Sequence, residues 1–458
     1  MLTTKEAAHI LGVSPRRIWA LVESGVLEAQ RLGRTWAIDE ASVRARADNP
    51  VWRGRPRKGE KSPLDLGSFL LMNRDHAVAR FEFSKKQARV TSLDPLEGEA
   101  WAPSGACGRP EKIHPDYLSE WIAARSIPDS RPHFEALLGE EGYANAADLA
   151  FSSLGLSLSD QYWFQPVDAE AKQPIGLMWR DLNYFDNGFD DVTGKRLMGV
   201  SASRGGSDRS PSNTTNGMLE KRWVMREGKP ALVKGATPGQ GREPYSELLA
   251  TKLLRRLLDP KDFVPYDLIY EEGRPYSICP DMVDGATELI PAADIVSCYN
   301  LREGAGLYDA YVEVVSRLAG RDVRQSLDKM IVCDYLMSND DRHLFNFGVL
   351  RDVESRQVIG AAPLYDNGCA FFARAGVAQL RASRYHYTAH PFSEMPLRQL
   401  ALASDYTWFD PDRLVGFIDE VTGTLSENDD VTDEFVELAA AQVARSIETV
   451  RRFAEECR

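Results

Sequence analysis

The spacing of Asp341, Asn346 and Asp366 constrains this chain more than any other feature. In the run Ser338-Asn339-Asp340-Asp341-Arg342-His343-Leu344-Phe345-Asn346-Phe347-Gly348 a carboxamide follows a carboxylate by five positions. A second carboxylate comes twenty positions later in Leu364-Tyr365-Asp366-Asn367-Gly368. Residues 329–337 read as a helix, with Met330, Ile331, Asp334 and Met337 at helical spacing, and deliver the chain into this loop. Three such groups have a joint use only if the fold closes them onto one cleft.

That set suits the binding of a metal-bound nucleoside triphosphate beside a hydroxyl, and two upstream elements fit the same use. Trp223-Val224-Met225 and Ala231-Leu232-Val233-Lys234-Gly235 have strand character around the turn Glu227-Gly228-Lys229-Pro230. A lysine ending an apolar strand sets a fixed positive charge against α- and β-phosphates, which makes Lys234 the candidate. Glu247, thirteen residues on, lies in an amphipathic helix that starts near Pro244, from which it would hold the Lys234 ammonium. A hairpin is expected from 264–270 and 275–280. The following connector, 278–282, would present backbone groups to an adenine, with Cys279 and Met282 as the candidates.

Charge is distributed unevenly. Residues 1–61 hold twelve Lys/Arg against seven acids, a net +5, so the remaining chain carries −18 against a total of −13. A short basic end on an acidic body implies two parts with different partners. The end itself reads as two short helices over 3–22. Thr3 or Thr4 caps the first, Gly12 ends it and Ser14-Pro15 opens the second. Residues 29–38 read as a hairpin turning near Gly33. This order resembles the winged helix-turn-helix domains of the excisionase and MerR type over about 45 residues. The resemblance implies a helix in the major groove and a wing on the backbone, with Arg16, Arg17, Arg31 and Arg34 as DNA contacts. Solvated arginines on a protein-interaction module are the alternative.

The body can also be placed by resemblance. Asp341-Arg342-His343-Leu344-Phe345-Asn346, Tyr365-Asp366-Asn367-Gly368 and Thr214-Thr215-Asn216-Gly217-Met218-Leu219-Glu220-Lys221 resemble the HipA-type serine/threonine kinases over roughly residues 200–400. The resemblance implies an α+β multidomain chain with a two-lobed, protein-kinase-like (HipA-like) fold behind the small winged helix-turn-helix. The expected limits are 1–48 for that module, 49–64 for a basic linker and 65–200 for a HipA-type N-terminal extension. The kinase N-lobe is expected over 201–282 and a helical C-lobe over 283–458.

The same resemblance implies ATP and Mg as cofactors. Asp341 would be the catalytic base, Asn346 and Asp366 would hold Mg²⁺, Lys234 phosphate, and His343 would orient the loop. The hydroxyl-rich segment 207–217 would cover ATP, with Thr214, Ser212 and Thr215 as autophosphorylation candidates. The chain has no G-x-G-x-x-G-x-V loop, no His-Arg-Asp order and no Asp-Phe-Gly. The acceptor is expected to be a protein Ser/Thr, with DNA, an antitoxin or a second copy as further partners. A DNA-binding regulator whose kinase-like body senses nucleotide, or a kinase for a lipid or small molecule, remain alternatives.

Six scattered cysteines without a C-x-x-C form no zinc pattern and suit a reducing cytoplasm. No apolar run reaches the roughly 18 residues that a membrane helix needs. A cytoplasmic protein is expected. The aromatic-rich runs 155–164 and 179–189 are expected to pack between parts of the body or to line a substrate surface.

Overall fold

The computed structural model describes residues 2–11, 18, 22, 27, 29–32, 35–48, 67–84, 86–135, 138, 143, 145–168, 172–199, 209–237, 241–302, 304 and 306–457. Arg16, Arg17, Arg34 and the expected linker 49–64 lie outside the described residues. The chain divides into two units, Met1–Pro63 with Glu135–Ala144, and Leu64–Phe134 with Asn145–Arg458.

In the first unit the helix Thr4–Leu11 starts at a reciprocal cap. The Glu6 N–H donates to Thr3 Oγ1 at 3.3 Å, and Thr3 N–H donates to Glu6 Oε2 at 2.8 Å. Ala7 and Ala8 turn inward onto Ile18, Leu27, Ile38 and Val43. The strands Ala29–Leu32 and Thr35–Ile38 pair antiparallel, with Arg31 opposite Trp36, and Leu2 extends the pairing at Ile38. A further helix, Glu40–Asp48, falls outside the expected pattern. Its start is fixed by Asp39, whose carboxylate accepts from Ser42 N–H at 2.9 Å.

The second unit mixes sheet and helix. Its first sheet is antiparallel in the order Arg89–Pro95, His76–Ser84, Gly67–Asn73, Tyr162–Pro166. Helix Pro115–Ala124, capped by His114 and opened by Pro115, covers one face. Trp163, Phe164, Trp179 and Tyr184 of the aromatic-rich runs are buried in this part of the core, whereas Ser157, Asp160 and Tyr162 of the first run line the cavity described below. The second sheet has the order Asp267–Glu271, Arg274–Pro280, Lys229–Lys234, Lys221–Arg226, and helix Glu243–Leu257 packs on it.

The largest apolar core gathers the helices Leu307–Ala319, Arg324–Met337, Phe417–Ser426 and Asp433–Glu456. Residues 283–458 are nonetheless not purely helical. Thr287–Pro291, Gly348–Asp352 and Val358–Ala361 form a three-stranded antiparallel sheet. It fixes the far end of the 338–348 loop: a Cβ on Gly348 would lie 2.1 Å from the Ile290 carbonyl oxygen, so only glycine permits this approach.

The described cysteines are all free, five of them buried. No helix among the described residues is long and apolar enough to cross a membrane.

Candidate active site

Lys234 ends a central strand, flanked by Lys221 on one neighbour and Ser277 on the other. Helix Glu243–Leu257 opens with Pro244 in its first turn and buries Glu247 one turn later. The Lys234 Nζ lies 3.1 Å from Glu247 Oε1 and 3.0 Å from Asp366 Oδ1, and it donates to the Tyr266 hydroxyl at 3.3 Å. Burial alone would lower the Lys234 pKa, but Asp366 and Glu247 hold it well above the ordinary lysine value. Burial would likewise raise Asp366, yet Lys234 and Lys221 hold its carboxyl well below the usual carboxylate range. Glu247 is pushed up by burial, against the pull of Lys234.

Helix Arg324–Met337 stops because Ser338 takes a left-handed conformation, φ 51°, and turns the chain into the loop. Arg342, fully buried, organises that loop. Its Nε donates to Asp334 Oδ2 at 2.9 Å and its Nη2 to Asp334 Oδ1 at 3.0 Å. Its Nη1 donates to the Asn346 carbonyl at 2.7 Å and to the Tyr365 carbonyl at 2.5 Å, and Nη2 reaches Asn367 Oδ1 at 2.5 Å. One guanidinium thus joins the Asp341–Asn346 loop to the Asp366 loop. The Asn346 amide N–H donates to the Asp341 carbonyl at 2.8 Å. Asp366 sits at φ 57°, held there by its N–H to the Tyr266 hydroxyl (3.2 Å) and by the Asn367 N–H to Glu247 Oε2 (2.9 Å).

Asp341 Oδ2 faces Arg374 Nη2 at 3.3 Å and accepts from the Cys369 thiol at 3.5 Å. Asp340 lies 3.6 Å from Arg374 Nη1, and burial raises its pKa.

A cavity of about 920 Å³ opens onto this chemistry. Lys234, Glu247, Asp341, His343, Asn346 and Asp366 all line it. His343 is exposed, and its Nδ1 accepts the Phe345 N–H at 3.2 Å, which braces the loop turn. Thr214 and Thr215 also line the cavity, whereas Ser212 does not. The three hydroxyls are engaged. Thr214 donates to the Leu156 carbonyl at 2.7 Å, Thr215 donates to the Ser212 carbonyl at 2.8 Å, and Ser212 accepts from Trp223 N–H at 3.0 Å. Cys279 and Met282, expected to offer backbone groups, are not among the residues that line this cavity. Cys279 is buried in a small cluster with Val264 and Tyr266, against which Met282 packs, and Ser277 lines the cavity instead. Arg31 belongs to the separate N-terminal unit.

Sequence reasoning gives no role to four residues at this site. Arg342 lies inside the motif, and an arginine between two polar anchors is itself a signal. Lys221 stands beside Glu220 at the end of the Thr214–Lys221 run; it is half-buried, and burial with its neighbours Lys234 and Arg131 lowers its pKa to about 8. Arg374 and Arg131 have no local signal. Arg131 reaches across more than eighty positions to donate to Thr215 Oγ1 (2.8 Å), the Thr215 carbonyl (2.6 Å) and the Gly217 carbonyl (2.7 Å).

Residues 1–49 match the family model of a helix-turn-helix domain. The chain is similar in structure to the proinflammatory kinase CtkA of Helicobacter pylori, with 16% identity and a TM-score of 0.38 over 52% of this chain and 94% of that one. It is also similar to a chain of the Shewanella oneidensis MR-1 toxin–antitoxin complex of HipA, HipB and operator DNA. There the identity is 12% and the TM-score 0.49, over 85% of this chain and 99% of that one. Comparison with curated proteins gives no match.

Proposed function

We propose that this protein transfers the γ-phosphoryl group of ATP, with Mg²⁺, to a serine or threonine hydroxyl of a protein acceptor, and that its N-terminal module binds DNA. The observation that carries the first part is the meeting of Lys234, Glu247, Asp341, Asn346 and Asp366 on one cavity wall. Lys234 binds phosphate and Glu247 fixes its ammonium. Asp341 accepts the proton of the incoming hydroxyl, and Arg342 keeps that carboxylate in register with Asp366.

Among the described residues no cluster of three or more His, Cys, Asp or Glu forms a self-sufficient metal site. Mg²⁺, which binds through one or two side chains plus substrate phosphates, would be held by Asn346 and Asp366, both on the cavity wall. When bound, the ion neutralises charge on the phosphates. The test is transfer of label from [γ-³²P]ATP to protein serine or threonine. Abolition by EDTA and recovery with Mg²⁺ are expected, and no transfer to any protein, including itself, refutes the reading. Phosphorylation of Thr214, Ser212 or Thr215 would first require the segment to leave its seat, since each hydroxyl is engaged.

Lys221 makes nucleotide affinity depend on pH. Its nitrogen lies under the Thr215–Gly217 loop, where a Cβ on Gly217 would come within 2.6 Å of it. Because its pKa is lowered to about 8, it is a cation below that pH and neutral above it. ATP affinity is therefore expected to fall about tenfold as pH rises from 7 to 9.5, with proton uptake on binding, the worth of one charged phosphate contact. Calorimetry checks this: Lys221→Met should bind weakly at both pH values, and a wild-type affinity flat across the range contradicts the assignment.

For DNA, the helix-turn-helix match and the +5 charge of residues 1–61 support phosphate contacts. Binding should weaken steeply with salt, and Arg16→Ala with Arg17→Ala should lower the slope of log K against log salt by about two. A flat salt response in a fluorescence anisotropy titration rules against it.

A further inference from the structure

Arg374 has a place in the cavity that the proposed roles leave unused. The segment carrying it is fixed on both sides. Phe371 N–H donates to the Met337 carbonyl at 2.7 Å, Ser246 Oγ to the Ala370 carbonyl at 2.9 Å, and Arg242 Nη1 to the Ala375 carbonyl at 2.6 Å. The Arg374 side chain is the opposite. It is half exposed, and one nitrogen meets each of two carboxylates, Asp341 at 3.3 Å and Asp340 at 3.6 Å. A firm backbone thus presents a loosely held guanidinium.

The other cations on this wall are committed. Lys234 is paired with Glu247 and Asp366, Arg125 with Asp160, and Arg351 with Glu288. Lys221, at the Thr215–Gly217 loop, is assigned above to the phosphates of the bound nucleotide. Within the 341–346 loop, Arg342 is turned inward onto Asp334, and positions 344 and 345 are Leu and Phe. Among the described residues, Arg374 is the cation within ion-pair reach of Asp341. Phosphoryl transfer needs positive charge at the equatorial oxygens of the group in flight.

We infer that Arg374 is a catalytic residue which leaves Asp341 during the reaction and binds the γ-phosphoryl group as it passes to the acceptor; this rests on the phosphotransferase reading. The acceptor oxygen forms its bond to Pγ while the bond from Pγ to the bridging oxygen breaks. That electron pair leaves on the β-phosphate of ADP, and the hydroxyl proton goes to Asp341. Arg374 neither gains nor loses a proton. Once Asp341 takes the proton its hold on Arg374 lapses, at the stage when charge gathers on the phosphoryl oxygens. The guanidinium therefore interacts more strongly with the transition state than with bound ATP, which is the condition for raising kcat.

The test uses full-length wild type, Arg374→Ala, Arg374→Gln and Arg374→Lys. Calorimetry with Mg·ADP should give affinities within about twofold of one another, since Arg374 is not a ground-state ligand. Adding aluminium fluoride, which mimics the phosphoryl group in flight, should tighten wild type and fail to tighten the Ala and Gln variants, a difference of roughly 10²-fold. In turnover, kcat should fall by roughly 10²-fold for both, with Lys intermediate and added guanidinium partly restoring the Ala variant. If Arg374 merely kept Asp341 ionised, its loss would shift the acid limb of the pH profile and leave the plateau intact, and that result overturns the inference. So does equal fluoride tightening in all four proteins. Wild type that transfers no phosphoryl group overturns the phosphotransferase reading and this inference with it; active wild type matched by Arg374→Ala overturns this inference alone.

Discussion

Asp341→Ala is expected to reduce phosphoryl transfer by about 10³-fold, within the range measured for loss of a positioned general base, and to leave Mg·ATP affinity within about twofold. The separation follows from geometry. Lys234 and Lys221 stand opposite each other at paired strand ends, with Asp366 3.0 Å from Lys234, whereas Asp341 lies in the loop after Ser338, beside Arg374 and Cys369. Its backbone, not its carboxylate, receives the Asn346 amide, so the loop keeps that contact in the variant. Single-turnover transfer from labelled ATP, measured together with nucleotide titration, checks both halves. Transfer within tenfold of wild type would move the base to Asp340, whose raised pKa would then become relevant to the reaction.

Arg342→Ala should show a second large effect, on stability and activity together. Removing one partner of a buried ion pair leaves an uncompensated charge, here Asp334, which is only 2% exposed, and costs about 3–5 kcal/mol. The carbonyls of Asn346 and Tyr365 lose their donor at the same time, so both loops lose their common tie. Denaturant unfolding measures the first effect. The double variant Arg342→Met with Asp334→Leu separates the two, because an apolar pair of similar volume removes the stranded charge. It should regain most of the stability and little of the activity. Full recovery of activity would show that the tie is structural only.

The candidate site was legible in the sequence where its residues are set by local pattern. Lys234 and Glu247 meet because a strand end and the second turn of a Pro-opened helix each have a sequence signature, and thirteen residues suffice to bring them together. Asp341, Asn346 and Asp366 converge because the helix before them and the strands Gly348–Asp352 and Val358–Ala361 are short and closely connected. Cys279 and Met282 illustrate the limit. The strand carrying Cys279 was readable, but which residues of it and of the connector to Met282 reach the cavity depends on Tyr266 and Val264, which arrive from a neighbouring segment. Arg131 and Arg374 were out of reach for the same reason, since long-range contacts leave no mark on local periodicity. The three-stranded sheet within 283–458 escaped because its strands are only four or five residues long and lie among strong helical patterns.

Arg131 has a practical consequence for dissecting this protein. The residue is only 2% exposed, burial lowers its pKa to about 10, and no carboxylate pairs with it among the described residues. Its counterweight is the set of carbonyls at Thr215 and Gly217. A shortened chain beginning near residue 201 would retain every sequence motif from Thr214 to Asp366 and still lack the fastener of its own Thr215–Gly217 loop. Domain boundaries drawn from motifs alone would thus cut through the wall of this cavity, and any minimal fragment must begin upstream of Arg131.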